Sequence, residues 1–131
     1  MIKFGYTILY VENVEESVTF YENAFGFTRK FVSPDNDYGE LITGETTLSF
    51  ASKKLASQNL KEGFIESSLE GKPFAIEIGF ITDNVPETLQ KATSFGAVIV
   101  SEPVEKPWGQ IVAYARDLNG FLIEICTKVK S

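Results

Sequence analysis

Two glutamates occupy the same short context in the two halves of the chain. Glu77 lies in "FAIEIGFI" (residues 74–81) and Glu124 lies in "FLIEICT" (residues 121–127), so each acid stands between two isoleucines. Leaving a polar group unpaired in a core costs about 2 to 7 kcal/mol, which argues against a core position for either acid. Two carboxylates that face one space could bind a cation, or could act as a general acid and base, because proximity raises the pKa of one of them.

The composition removes several other kinds of chemistry. The chain has no His, the commonest transition-metal ligand and the commonest general base. A net charge of −6 and the absence of a run of Lys or Arg argue against a nucleic-acid partner. Cys126 is the single cysteine; without a neighbouring base it is interpreted as a small apolar packing residue and not as a nucleophile. We therefore expect no transition metal and no organic cofactor.

The apolar segments are short. Runs such as "GAVIV" at residues 96–100 fall far below the about 20 residues that cross a membrane, so no membrane partner is expected. The N-terminal segment lacks a small-residue cleavage site after its apolar run, and the lone cysteine excludes an internal disulfide. These features predict a cytoplasmic protein, and 131 residues suffice for one domain with a real core.

The elements that position the two acids form an internal repeat. The segments "FGYTILYV", "FTRKFVS", "YGELITG" and "TTLSFAS" predict strands, and "ENVEESVTFYENAFGF" predicts a helix from its apolar residues three or four apart. The helical segment matches "ITDNVPETLQKATSFGA" at an offset of 71 residues that falls to 70 at Phe95 and Gly96. Each half therefore has the order β-α-β-β-β. Module one covers about residues 1–52 and module two about residues 73–131.

The linker, at about residues 53–72, is long for a structureless connection. We expect it to contain a helical turn or a loop that packs over a site.

The repeat also predicts pseudo-equivalent positions. Tyr6 corresponds to Glu77 at the offset of 71, and the apolar alternation of the last strands places Ser49 on Glu124. A further match aligns Gly39-Glu40-Leu41 with Gly109-Gln110-Ile111.

Alternation along the strands predicts which way these side chains point. Ile76, Ile78 and Phe80 are expected to pack under the helices, which leaves Glu77 on the opposite face. The same reasoning predicts that Ile123 and Ile125 face the helices and that Glu124 lies on the opposite face of the sheet. We expect the floor of a ligand space to be formed by Tyr6, Ser49, Glu77 and Glu124, and its apolar wall by Ile8, Tyr10 and Leu122.

Three segments carry a resemblance to a known family. They are "YVENVEESVTFYENAFGF", "GFITDNVPETLQKATSFGA" and "KPWGQIVAYARDLNGFLIEI", in this order along almost the whole chain. The chain resembles the vicinal oxygen chelate superfamily, which includes glyoxalase I and the bleomycin resistance proteins. The resemblance implies an α+β fold in which two tandem βαβββ modules form a curved, partly open eight-stranded sheet around a cavity, with the helices outside. It also implies a homodimer.

In metal-dependent members of that superfamily, the first and last strands of each module supply the metal ligands, usually His, Gln or Glu. The corresponding positions here are Tyr6, Ser49, Glu77 and Glu124. Because His is absent, the sequence departs from the His-based pattern, and we expect no bound metal.

Further candidates have two interpretations each. Trp108 could stack on a ligand or could cover a hydrophobic edge or dimer contact. Tyr10, Tyr38 and Tyr114 are candidate wall residues or ordinary packing residues. Arg116 could bind an anion, although an ion pair with a surface acid fits it better.

The leading functional hypothesis is a metal-independent binding protein of the glyoxalase/bleomycin-resistance type. It would hold a small organic molecule, for which a cationic, antibiotic-like compound is one candidate, with Tyr6, Ile8, Ser49, Glu77, Trp108 and Glu124. The alternative is a glyoxalase-like lyase or isomerase in which Glu77 and Glu124 are catalytic or bind a hard metal ion. A third possibility is a regulatory module whose cavity is filled by side chains.

Overall fold

Each half of the chain forms its own compact unit. The structure, a computed structural model, describes residues 1–129, and the two units are divided between Glu66 and Ser67. Both units have the predicted β-α-β-β-β order, so the α+β class and the tandem repeat are confirmed. Among residues 1–129, no helix is long and apolar enough to cross a membrane.

The first unit is a four-stranded mixed sheet with two helices. The strand order is β1-β4-β3-β2; β1 and β4 run parallel, and the other neighbours run antiparallel. The elements are β1 (Tyr6–Val11), α1 (Val14–Phe25), β2 (Thr28–Val32), β3 (Tyr38–Ile42), β4 (Thr47–Ser52) and α2 (Lys53–Asn59).

The second unit repeats this sheet with the order β5-β8-β7-β6 and the same pattern of one parallel and two antiparallel pairs. Its elements are β5 (Ile78–Ile81), α3 (Val85–Ser94), β6 (Val98–Glu105), β7 (Ile111–Arg116) and β8 (Leu122–Cys126).

The repeated Asn-Val pair starts both long helices. Asn13 Oδ1 accepts a hydrogen bond from the Glu16 amide at 3.0 Å, and Asn84 Oδ1 accepts one from the Glu87 amide at 3.1 Å. Each asparagine satisfies a backbone donor that the helix leaves free, a contribution of about 1 kcal/mol. Gly26 ends α1 by adopting the left-handed conformation, with φ of 74°.

One face of each sheet is packed under its long helix. In the first unit, Val14, Val18 and Tyr21 of α1 are buried with Leu41 and Phe50 of the sheet. In the second, Val85 and Leu89 of α3 are buried with Ile123 and Ile125, which have no exposed surface. Each such large apolar side chain contributes about 1.5 to 3 kcal/mol by leaving water. The predicted inward direction of Ile123 and Ile125 is therefore confirmed.

The strand registers confirm two parts of the internal alignment. Ile8 is the cross-strand partner of Ser49, and Gly79 is the cross-strand partner of Glu124. The offset of 71 between the first strands and the match of Ser49 with Glu124 are thus consistent with one another.

The alignment of the third strands is wrong. Glu40 lies opposite Ser49 and Tyr114 lies opposite Glu124, so the structural counterpart of Glu40 is Tyr114 and not Gln110. The cause is the longer hairpin of the second unit, because β6 has 8 residues where β2 has 5. The extra length moves Gly109 and Gln110 into the turn before β7.

The strand that carries Glu77 is shorter than predicted. The ladder between β5 and β8 begins at Ile78, so Glu77 immediately precedes the strand. Ile76 is 63% exposed, and its predicted packing under the helices is wrong. The reason is that β5 lies at the edge of the second sheet as the structure describes it, and its partner there, β8, begins at Leu122, directly after the hairpin turn.

The linker begins with the predicted helical turn, because α2 follows β4 directly. Within the first unit, Phe64 of the later linker packs edge-on against Tyr10, with ring centroids 5.0 Å apart. Tyr10 is thus a packing residue covered by the linker.

Arg116 binds the part of the linker that belongs to the second unit. It is not a surface ion-pair residue. It is 8% exposed, and its guanidinium donates to the carbonyl oxygens of Gly120, Gly71 and Ser68 at 2.7 to 2.9 Å. The predicted pairing with a surface acid is wrong, because this buried cation is bound by backbone carbonyls. It fixes residues 68–71 against the β7–β8 hairpin.

Candidate functional site

The second sheet has a polar cluster on the face away from α3. Glu124 lies near the middle of β8, between Gly79 on β5 and Tyr114 on β7. Its neighbours Ile123 and Ile125 point into the core, so the carboxylate of Glu124 points to the open face, as predicted. The Tyr114 hydroxyl donates to Glu124 Oε2 at 3.2 Å.

Glu77 joins this cluster by a carboxyl–carboxyl hydrogen bond. That bond to Glu124, followed by burial and the negative charge of Glu124, raises the pKa of Glu77. Burial acts to raise the pKa of Glu124 as well, but hydrogen bonds from Glu77, Cys126 and Tyr114 outweigh it and lower the pKa. Of the two acids, Glu77 is therefore the one that keeps its proton to higher pH, because Glu124 has more hydrogen-bond donors.

An open space lies beside this pair. Gly79 follows Glu77 by two residues and is the cross-strand partner of Glu124. Apart from the adjacent residues, no heavy atom lies within 4 Å of the position that a β-carbon would take at Gly79. Ile81, on the same face of β5, is 69% exposed. The two acids thus border the open space over Gly79, which we call the recess, and Ile81 adds an apolar side chain on the same face.

Tyr114 and Cys126 complete the surroundings of the acids. Burial and the charges of Glu124 and Glu77 raise the pKa of Tyr114 to about 12, so the phenol keeps its proton and donates. Burial and the neighbouring Glu124 raise the pKa of Cys126 to about 11. A neutral, buried thiol is a poor nucleophile, which agrees with the interpretation of Cys126 as a packing residue.

Trp108 lies in the turn before β7 and is 60% exposed. Its indole Nε1 donates to Gln110 Oε1 at 2.8 Å, and Gln110 Nε2 donates to the carbonyl of Thr127 at 3.0 Å. Gln110 also approaches the thiol of Cys126, which follows Glu124 by two residues. The ring of Trp108 is thus held on the second unit with much of its surface open.

The other predicted binding residues lie on the first unit. Ile8 and Ser49 are cross-strand partners, and Tyr6 precedes Ile8 by two residues on the same face of β1. Tyr6 is 52% exposed and Ile8 is 36% exposed, whereas Ser49 is fully buried. The structure therefore brings Glu77 together with Glu124, and Ile8 with Ser49. The four-residue floor that would combine these pairs stays a prediction.

The first sheet carries a second acid–phenol pair, which the sequence did not single out. Tyr38 and Glu40 are two residues apart on β3, so their side chains lie on the same face. The Tyr38 hydroxyl donates to Glu40 Oε2 at 2.7 Å. Burial and this hydrogen bond raise the pKa of Tyr38 to about 12. The Lys30 ammonium lies 3.5 Å from Glu40 Oε1.

The chain matches the Glyoxalase-like domain family over residues 4–130. It belongs to that family. Membership places the protein in the vicinal oxygen chelate superfamily, as the sequence segments indicated. No functionally curated protein gives a significant match to the chain.

Solved structures of glyoxalase-like proteins share the fold. A glyoxalase-related enzyme from Fulvimarina pelagi is 15% identical, with a TM-score of 0.82 over 98% of this chain and 89% of that chain. A glyoxalase/bleomycin resistance protein/dioxygenase family enzyme from Burkholderia phytofirmans is 22% identical, with a TM-score of 0.79 over 96% and 98%. A superfamily member from Sphaerobacter thermophilus is 19% identical, with a TM-score of 0.68 over 98% and 99%. At these identities the likeness establishes the fold alone.

The donor set of this glyoxalase-like protein does not fit the His-based metal of the superfamily. The hydroxyl of Ser49 is fully buried, and the position of Tyr6 holds a phenol. Among residues 1–129, no group of three or more His, Cys, Asp or Glu side chains is arranged to hold a metal ion. A serine hydroxyl and a neutral phenol are poor ligands for a transition metal.

Two features of the site could not be identified from the sequence. Glu40 appeared only in an alignment that proved wrong. Tyr38 and Glu40 are two residues apart in "YGELI", so strand alternation predicts that their side chains lie on the same face. Apart from the glycine itself, nothing in the sequence predicted the recess beside Gly79. Its existence depends on the directions of neighbouring side chains, which the sequence does not give.

Proposed function

We propose that this glyoxalase-like protein is a metal-independent binding protein that holds a small cationic organic molecule on the open face of its second sheet. The observation that carries the proposal is the Glu77–Glu124 pair beside the recess at Gly79. A ligand cation placed there would interact with Glu124 and would favour loss of the proton held by Glu77. Glu124 is half-buried, which makes its attraction to a cation stronger than in open water, whereas Glu77 is exposed.

The surroundings suit an organic cation. Ile81, the last residue of β5, is 69% exposed on the same face as Gly79 and offers apolar contacts to an organic body. The exposed ring of Trp108 offers a surface on which a cation or a flat group could stack. Sequestration of an antibiotic-like compound is one form of this function. The predicted contribution of Tyr6, Ile8 and Ser49 to the same ligand, and the formation of a homodimer, remain part of the proposal.

The test uses benzyltrimethylammonium, a permanent cation with an aromatic ring. Titration calorimetry at pH 8 should show binding to the wild-type protein. Affinity should fall at least about tenfold in the Glu77→Gln/Glu124→Gln double variant, the equivalent of about 1.4 kcal/mol. Gly79→Val should also reduce affinity, because its side chain fills the recess without changing the charge. The control is Glu102→Gln, which removes one exposed acid of β6. Equal affinity in the double variant and the control would refute the site.

One observation favours an enzyme as the second candidate. The pKa of Glu77 is raised and that of Glu124 is lowered, which is the arrangement of a general acid beside a general base. A lyase or isomerase acting on a small oxygenated substrate would use Glu124 to remove a proton and Glu77 to donate one.

Proton exchange into hydroxyacetone in D₂O, followed by NMR, tests this candidate. Protein-dependent exchange that is lost in Glu124→Gln and retained in Glu102→Gln would support it. An exchange rate equal to that of buffer would exclude this reaction.

A further inference from the structure

A cavity lies at one end of the second sheet, where β5, β6 and β8 end and β7 begins. Its volume is about 750 Å³, within the range of about 300 to 1,000 Å³ that is typical of small-molecule sites. Its borders include Thr82 and Asp83 after β5, Glu105 at the end of β6, Ile111 at the start of β7, and Thr127 and Lys128 after β8. We call it the strand-end cavity.

The strand-end cavity is on the helix side of the sheet, away from the face that carries the acid pair. The hydroxyl of Thr82 is 2.8 Å from the hydroxyl of Thr88 on α3, so Thr82 points toward that helix. Thr127 follows the core residue Ile125 by two places, and its amide donates to the Ile111 carbonyl at 3.0 Å, which continues the strand pairing beyond β8. Alternation therefore puts the side chain of Thr127 on the helix side as well.

Two acids and one base border this cavity without neutralising one another. Asp83, Glu105 and Lys128 are all exposed. Among residues 1–129, the ion pairs involve other residues, so neither acid is close enough to Lys128 to form one. A ligand that carries only a positive charge would leave Lys128 unmatched, and a ligand that carries only a negative charge would face two carboxylates. A ligand with both charges would match all three groups.

The rest of the border suits the remaining parts of such a ligand. The hydroxyl of Thr127 accepts a hydrogen bond from the Ile111 amide at 3.0 Å, so its own O–H can be donated to a carboxylate bound at the neighbouring Lys128. Ile111 is half-buried and Val129 is 59% exposed, and both offer apolar contacts to a hydrocarbon chain. Gly109 adds no side chain, which keeps the cavity open at the turn before β7.

We propose that the strand-end cavity binds a small organic zwitterion. The ammonium group of the ligand would interact with Asp83 and Glu105, and its carboxylate with Lys128 and Thr127. The site differs from the proposed cation site in its face of the sheet and in its need for a negative charge on the ligand. It does not depend on the function proposed for the acid pair.

The test compares three probes with the same six-carbon chain: 6-aminohexanoate, hexanoate and hexylamine. Titrations at pH 7 and low ionic strength are followed by the backbone amide NMR signals of residues 82–83, 109–111 and 127–128. The zwitterion should bind at least about fivefold more tightly than either singly charged probe, because it alone forms ion pairs with both kinds of group. Equal affinities for the three probes, or no shift of these signals with 6-aminohexanoate, would overturn the proposal.

Lys128→Gln tests the carboxylate end of the ligand, and Lys91→Gln is its matched control. Lys91 is an exposed cation of α3 that does not border the cavity. Lys128→Gln should reduce the affinity for 6-aminohexanoate to about that for hexylamine, whereas Lys91→Gln should leave the preference for the zwitterion unchanged. An unchanged preference in Lys128→Gln would contradict the proposal.

The Asp83→Asn/Glu105→Gln double variant tests the ammonium end. It should bind 6-aminohexanoate no more tightly than hexanoate, and Glu102→Gln should behave like wild type. The Glu77→Gln/Glu124→Gln variant separates this site from the cation site, because it should bind 6-aminohexanoate with wild-type affinity. A loss of zwitterion binding in that variant would place the ligand at the acid pair and would overturn the proposal.

Discussion

The hydroxyl of Tyr114 donates across the β7–β8 pair to the carboxylate of Glu124 at a distance of 3.2 Å. The first unit has a corresponding bond of 2.7 Å between Tyr38 and Glu40, but there both residues lie on one strand. The pKa of each phenol is raised to about 12, largely by burial. Each sheet thus presents a carboxylate that accepts a hydrogen bond from a permanently protonated tyrosine.

Tyr114→Phe should raise the pKa of Glu124. The variant removes a donor that stabilises the carboxylate, while the ring and its packing are kept. A titration of the glutamate side-chain carbons by ¹³C NMR measures the effect directly. Tyr10→Phe is the control, because the Tyr10 ring packs on Phe64 in the first unit. An unchanged titration of Glu124 in Tyr114→Phe would show that the hydrogen bond has no electrostatic effect.

Glu77→Gln should stabilise the protein more at pH 7.5 than at pH 4. The pKa of Glu77 is raised in the folded protein, so its contribution to stability is complete below the unfolded pKa of about 4.3. That contribution is lost as the pH rises through the folded pKa, because the fold then contains two adjacent charges. Glutamine resembles the protonated acid and does not titrate. Urea unfolding at both pH values gives the comparison, and a pH-independent difference from wild type would contradict a raised pKa of Glu77 in the folded protein.

Affinity for benzyltrimethylammonium should increase as the pH rises through the raised pKa of Glu77. Deprotonation of Glu77 adds a second negative charge beside the recess, and the probe has no titrating group of its own. Calorimetric titrations from pH 4.5 to 8 should show this rise in wild type. Glu77→Gln should bind with much less dependence on pH over the same range. If both proteins show the same pH profile, the titrating group is not Glu77.

Gly120→Ala should destabilise the protein far more than Gly109→Ala. Both glycines have positive φ, 87° and 91°, so alanine costs about 1 to 2 kcal/mol at either position. A β-carbon at Gly120 would also lie 2.6 Å from the Ser68 carbonyl carbon, whereas none of the heavy atoms considered lies within 4 Å at Gly109. The residues around Ser68 are held by Arg116, so they cannot move away easily. Chemical denaturation of both variants tests this, and equal losses would show that the contact adjusts.

Much of the fold was predictable because it depends on local patterns that occur twice. Asn13 and Asn84 begin helices for the same reason, a side-chain oxygen that accepts from a free backbone amide. The alternation around Glu124 indicated its open face correctly, because β8 lies inside the sheet and has a partner on each side. The same rule misplaced Ile76, since an edge strand ends where its single partner ends.

The candidate site was predictable only where it depended on one strand. The sequence by itself determined the two βαβββ units, the inward direction of Ile123 and Ile125, and the absence of the histidines that most superfamily metal sites require. The tertiary structure decided that Glu77 interacts with Glu124, which raises the pKa of Glu77, and that Tyr114 and Tyr38 donate to carboxylates. The contacts of Glu124 join different strands, and cross-strand register depends on hairpin length; the Tyr38–Glu40 bond lies on one strand but depends on the side-chain conformations. The longer β6–β7 hairpin shows why, because it alone places Tyr114 and not Gln110 beside Glu124.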